Sequence, residues 1–563
     1  MKAAPAGTKT LESARIVKAL LGAVMTFSTA GRVAALLLVA VLSSSGVASA
    51  APYVVEEKSI AELRADLERG ATTSEELVAA YISRIEEIDR AGPTLRSVLA
   101  LNPRAGDDAR ALDAERKAGK LRGPLHGIPI LLKDNIDSAD PMPTTAGSLA
   151  LAKNVTNRDA PFVARLRAAG AIILGKTNLS EWANIRSSQS ISGWSAVGGL
   201  TRNPYARDRN ACGSSTGSGA AAAASLAAGT IGTETDGSIT CPASINGLVG
   251  IKPTVGLVSR THVVPISHTQ DTAGPMTRSV ADAAALLTII AGADPADSAT
   301  KDADARKSDY TAALDPGALK GKRIGVLKFL KGYHTLTDRV FARALDDMKA
   351  AGAELIEIDK FPSLDKIGEA ELIVLLTELK ADLNAYLATT PSSVTVRTLK
   401  DVIAFNAATP AELALFGQDL FEQAEQTKGL MDPTYRKAAA MAKRLAGPQG
   451  IDRLLKQHKL DALVAPTGGP AWTIDVVTGD HFLGAASTLP AVAGYPHITV
   501  PMGETHGLPV GLSFMAEAWS EAKLIGLAYA FEQKTKARKA PRYLRSVEDL
   551  DELRPALQPA KAD

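Results

Sequence analysis

Apolar residues along this chain recur in two periods, and their alternation predicts a layered α/β fold. Ser59-x-x-Glu62 and Thr73-x-x-Glu76 read as capping boxes opening two helices. The second carries Leu77, Tyr81, Ile82, Ile85 and Ile88 on one stripe. The apolar run 125–132 predicts a buried strand ending at Lys133-Asp134-Asn135, and 161–169 a helix closed by Gly170 before a strand over 171–174. Residues 218–228 are almost all Ala, Gly and Ser, so they predict a central, buried helix whose small side chains admit neighbouring backbone. Strand 323–327, helix 338–351 and strand 354–358 continue a βαβ rhythm. The expected architecture is one large α/β domain, with a mostly parallel mixed sheet flanked by helices on both faces. The polar stretch 294–310 reads as an exposed connection, and about 362–445 as a helical region on the substrate side. No internal repeat is visible.

The N-terminus adds a targeting signal. Arg32 precedes an apolar run over 33–42, then Ser43-Ser44-Ser45-Gly46 and Ala48-Ser49-Ala50, the small-residue pattern of a cleavage site. The run is too short to span a bilayer. Residues 1–50 are therefore expected to be a signal peptide cleaved after Ala50, with Met25 as an alternative start of translation. The catalytic domain is expected over 51–545 and a polar tail over 546–563, in an exported protein, periplasmic or secreted, without a stable membrane anchor. A formal net charge of +2 and 4% aromatic residues argue against a nucleic-acid partner. A monomer is expected, with a dimer left open.

The chemistry-bearing pattern is a pair of glycine-framed serines, Ser214 in Cys212-Gly213-Ser214-Ser215-Thr216-Gly217 and Ser238 in Thr235-Asp236-Gly237-Ser238. No histidine lies within or between them, so a base must come from elsewhere. Lys133, at the end of an apolar run, is the candidate, because burial disfavours the ammonium form and frees a lone pair. A hydroxyl donates and accepts at once, so one serine can pass a proton between the other and the lysine. Glycine before Ser238 lets successive backbone N–H groups of Thr235, Asp236 and Gly237 face one concavity, an oxyanion hole. Cys212 and Cys241, the only cysteines, flank the two serines, and either a disulfide or two buried thiols fits them.

Three other patterns compete. Residues 213–217 fit G-x-S-x-G with Ser215 as nucleophile and Asp461 and His497 as partners, but the preceding 203–210 are polar rather than strand-like. Residues 170–177 fit the phosphate-binding pattern G-x-x-x-x-G-K-[ST], yet the interior Ala-Ile-Ile-Leu is strand-like, and Lys176 reads as the residue after a strand. The histidines, His126, His262 and His268 among them, lack metal-ligand spacing, so no metal or cofactor is expected.

These segments, with Gly123-Pro124-Leu125-His126-Gly127-Ile128-Pro129, Gly175-Lys176-Thr177-Asn178, residues 247–254 and 271–276, Ala493-Gly494-Tyr495-Pro496 and residues 507–512, resemble the amidase signature hydrolases over about 60–537. The resemblance implies that family's fold, Ser238 as nucleophile, Ser214 as bridging serine, Lys133 as base and a cis peptide before Ser214. Thr235, Asp236, Gly237 and Ser238 would supply the oxyanion-hole amides. Many members carry glycine where Asp236 stands, and this form looks most like the peptide amidase branch, which removes the C-terminal amide of peptides. The implied substrate is a small amide or peptide amide, with aryl or alkyl acylamidase or esterase-like activity as the alternative. Acidic and basic residues balance too closely, and the export signal fits too poorly, to favour an amidotransferase component that works on charged transfer RNA.

Overall fold

A computed structural model describes residues 53–558. The expected signal segment, its cleavage site and the alternative start at Met25 lie outside the described residues, as do the last five. Both capping boxes form, on the helices Ile60–Glu68 and Ser74–Arg84. The strands are β1 (Val98–Leu101), β2 (Pro129–Lys133), β3 (Ile172–Thr177), β4 (Trp194–Ser195), β5 (Gly199–Leu200), β6 (Gly229–Glu234) and β7 (Val249–Lys252). They continue as β8 (Thr272–Thr277), β9 (Arg323–Leu327), β10 (Glu354–Ile358), β11 (Ala462–Pro466), β12 (His497–Thr505) and β13 (Leu508–Met515).

All but β4 and β5 join one 11-stranded sheet in the order β1-β3-β2-β6-β8-β7-β12-β13-β11-β9-β10. Parallel pairing is confined to two wings, β3-β2-β6 and β11-β9-β10, where helices separate the strands in sequence. The centre between them is antiparallel, closed by the β12–β13 hairpin. Every residue of β2, β3, β6, β7, β8, β11 and β13 is buried. Burial at successive positions means that both faces of the sheet are covered.

Parallel pairing aligns the carboxyl ends of β2, β3 and β6 on one edge, the usual place for a site in such sheets. Register sets Leu132 beside both Lys176 of β3 and Ile231 of β6, so Lys133 emerges next to the end of β6. The helix Thr216–Ala223 enters the core with all eight residues buried. A Cβ on Gly217 would sit 2.4 Å from the Ser97 carbonyl oxygen and 2.5 Å from the Asn178 nitrogen, so glycine is required for that approach.

Some boundaries differ from expectation. The small-residue helix ends before 228 because the chain turns at Ser225, which takes a positive φ of 55°. Strand β3 runs on to Thr177, so Lys176 lies within the strand rather than after it. The 294–310 connection is not simply exposed: Thr300, Ala303 and Tyr310 are buried, and Asp297 pairs with Arg260. The helical region is present as Leu364–Leu387, Leu399–Ala408, Asp419–Glu425 and Pro433–Ala446. No described helix is long and apolar enough to cross a membrane.

Candidate active site

Lys133 is fully buried at the end of β2. Its Nζ lies 2.8 Å from Ser214 Oγ, 2.8 Å from Thr233 Oγ1 and 3.2 Å from the Thr233 carbonyl oxygen. Burial pushes its pKa down to about 7, against the opposing charges of Asp271 and Glu234. This environment decides the proton inventory. A neutral amine has two N–H donors and one lone pair, and the Thr233 carbonyl only accepts. In the neutral form one of the two hydroxyls therefore donates to Nζ. Asn135 Nδ2 also donates to Thr233 Oγ1, at 3.0 Å.

Ser214 is fully buried after a cis Gly213–Ser214 peptide, as the family resemblance implied. The N–H of the next residue, Ser215, donates to the Ser238 carbonyl at 3.1 Å, which clamps the two serine segments backbone to backbone. Cys212 and Cys241 close the same junction as a disulfide, with Cα atoms 6.1 Å apart. Of the two options the sequence left open, the structure has the bond.

Ser238 is 9% exposed and faces a cavity of about 430 Å³. Thr235, Asp236 and Gly237 line the same cavity, and the N–H groups of Asp236, Gly237 and Ser238 donate to nothing among the described residues. Gly237 has φ of +80°, and a Cβ there would stand 3.0 Å from Ser487 Oγ. A side chain at this position would be strained and would crowd Ser487. Ile185, Ile266, Leu375, Trp472 and Phe482 supply apolar wall, with Trp472 and Phe482 in an edge-to-face pair at 5.6 Å.

Several supporting residues went unnoticed in the sequence. Glu234 accepts from the N–H groups of Ile239 and Thr240 at 2.8 and 2.9 Å, fixing the chain immediately after Ser238. Asp271 accepts from Thr235 Oγ1 at 2.6 Å, and burial raises its pKa to about 6. Thr488 Oγ1 donates to Asp236 at 2.9 Å, and Gln270 Nε2 to Glu371 at 2.7 Å. Burial raises both Asp236 and Glu371, and the Asp236 charge pushes Glu371 further up. The only local signal for these was polarity beside the Ser238 segment, and Glu371 lies more than a hundred residues away.

The competing patterns do not assemble. Ser215 Oγ donates to the Thr233 carbonyl at 3.0 Å. His497 Nε2 meets Ser513 Oγ at 2.6 Å, deep in β12, where burial lowers its pKa to about 3. Asp461 instead accepts from Lys322 at 3.2 Å and from the Arg323 N–H at 2.9 Å. Residues 172–177 of the phosphate-loop pattern are strand, with no turn to cradle an anion. His126 accepts from the Arg122 N–H at 3.1 Å, and its other ring nitrogen meets the Leu112 carbonyl at 2.9 Å. Among the described residues, His268, Glu378 and Asp382 bring three ligand-type atoms within 4.8 Å of one another. Their carboxylates are already occupied by Tyr435, Ser267, Thr269 and His268 itself.

Residues 76–525 match the amidase family model. The chain belongs to the amidase family. A probable amidase of Arabidopsis thaliana is 40% identical over 520 residues, covering 90% of this chain and 96% of the relative. The native peptide amidase of Stenotrophomonas maltophilia superposes with a TM-score of 0.84 at 54% identity, covering 87% of this chain and all of that one. An amidase family protein from Bacillus anthracis superposes with a TM-score of 0.78 at 36% identity, covering 87% of this amidase and 93% of that chain. Amide hydrolysis on an amidase signature fold is the activity of this chain.

Proposed function

We propose that this amidase removes the C-terminal amide of peptides through Ser238, Ser214 and Lys133. The observation that carries the reading is a wholly buried lysine amine 2.8 Å from Ser214 Oγ, clamped beside the cavity that Ser238 faces. Neutral Lys133 takes the Ser214 proton as Ser214 takes that of Ser238, and Ser238 Oγ bonds to the amide carbon. The carbonyl oxygen gains the electron pair and is met by the free N–H groups of Asp236, Gly237 and Ser238, with Thr235 at the same wall. On collapse the C–N bond breaks, the nitrogen receives the relayed proton and ammonia leaves. Water repeats the attack on the Ser238 ester, releasing the carboxylate and restoring the serine. No cofactor enters this scheme.

The peptide-amide preference is supported by the likeness to the Stenotrophomonas peptide amidase and by an apolar-walled cavity large enough for more than a bare acyl group. The Cys212–Cys241 bond favours export to an oxidising compartment, with cleavage after Ala50. N-terminal mapping of the mature protein tests the latter. A near-neutral charge argues against a nucleic-acid partner. For the activity, ammonia or amine release is measured on peptide amides, aryl anilides, small primary amides and esters. Preference for peptide amides, abolished in Ser238→Ala, is the expected result. Turnover of anilides or esters alone would replace it with the acylamidase or esterase reading.

A further inference from the structure

Away from the amidase cavity, Arg96, Arg202, Arg207 and Arg545 line a single cleft of about 330 Å³, with Asp208 as the one carboxylate in its wall. Four guanidinium groups less one carboxylate leave a formal +3 in this cleft, whereas the whole chain carries only +2. The surplus is therefore a local arrangement and not the consequence of a basic protein. Among the described residues Arg96, Arg202 and Arg207 form no ion pair. Asp208 is drawn toward Arg209, at 3.5 Å, and Arg545 reaches Asp549 only at 3.5 Å on an exposed side chain.

The cleft is built from backbone that is tied together. The Arg202 N–H donates to the Leu95 carbonyl at 2.9 Å, and Thr201 Oγ1 to the Arg96 carbonyl at 2.8 Å. The Arg207 N–H donates to the Leu544 carbonyl at 2.8 Å, which brings Arg545 alongside. Two of the guanidinium groups are themselves braced: Arg202 Nη1 on the Arg207 carbonyl at 2.9 Å, and Arg207 Nη1 on the Pro93 carbonyl at 3.4 Å. Arg207 Nε is buried without a partner. Clustered like charges repel one another unless an anion joins them, and planar guanidinium forks match the oxygens of phosphate.

We propose that this cleft binds the phosphate group of an anionic ligand. The site is independent of the amide chemistry. Inorganic pyrophosphate is titrated into the mature protein calorimetrically at constant ionic strength, alongside vesicles of phosphatidylglycerol and of phosphatidylcholine, on wild type and on Arg96→Glu/Arg545→Glu. Those two side chains are exposed, so the double variant keeps the fold, and Arg207→Gln serves as a second variant. Saturable pyrophosphate binding, weakened about tenfold or more in the double variant with amide turnover unchanged, is the expected result for a free anion. Binding only to the phosphatidylglycerol vesicles, lost in the same variant, assigns the phosphate to a lipid headgroup. Absence of binding to either probe, or binding that survives both variants, overturns the proposal.

Discussion

Lys133 and Lys176 stand near the ends of neighbouring parallel strands, both without solvent exposure, but only Lys176 has a carboxylate at ion-pair distance. Lys133 touches only hydroxyls and a carbonyl, so no carboxylate at ion-pair distance favours its ammonium form. Lys176 donates to the Ile136 carbonyl and to Thr144 Oγ1 at 3.0 Å, with Asp134 at 3.9 Å. Burial lowers both amines, but at Lys176 the carboxylates of Asp134, Asp137, Asp140 and Asp159 pull back toward the charged form. Burial alone therefore does not make a base. What separates the two sites is the ring of carboxylates around Lys176, Asp134 at 3.9 Å first among them, which favours the charged form there.

Replacing each lysine with methionine, which keeps much of the volume, separates the two roles. Lys133→Met is expected to lower kcat by ~10⁴-fold, with thermal unfolding near that of wild type, since loss of general base catalysis costs about that much. Lys176→Met leaves Asp134 as an uncompensated buried charge and is expected to cost ~3–5 kcal/mol of stability in denaturant titration. Similar kcat losses in both, at equal stability, would erase the contrast. Opening the bridge by Cys212→Ser/Cys241→Ser frees a 29-residue separation, which chain entropy values at about 3–4 kcal/mol, and it loosens the junction beside Ser214. Equilibrium unfolding and kcat on the same sample check both effects.

The smallest effect is expected at Glu371→Gln. Its carboxyl is held above the ordinary range by burial and by Asp236, so an amide, which donates without needing a proton, replaces it conservatively. We expect kcat/KM at neutral pH within about threefold of wild type, the scale of one ordinary hydrogen bond. Glu371→Ala, which leaves Gln270 and Asp236 without that partner, should lose more than the glutamine variant.

Local pattern made much of this fold legible. Strands β9 and β10 lie where the alternation of helix and apolar strand puts them. Strand β3 overran its expected end, since Gly175, Lys176 and Thr177 are strand through pairing with β1 and β2 and through burial of the lysine near Asp134. The antiparallel centre was likewise hidden, because strand direction depends on partners far apart in sequence. Of the proposed site, Lys133, Ser214 and Ser238 were suggested by glycine framing and an apolar approach to a lysine. Thr233, Glu234 and Glu371 were not, for their contacts exist only once β6 and the helix Leu364–Leu387 have packed around the Ser238 turn.

Whether neutral Lys133 is the base is decided by the pH dependence of kcat on a peptide amide. Its pKa is lowered to about 7, so the active unprotonated form is lost below that pH and complete above it. The expected rate rises through a single limb near pH 7 and then stays level, with no such limb in the residual rate of Lys133→Met. A flat wild-type profile, or the same limb persisting in Lys133→Met, would contradict the assignment.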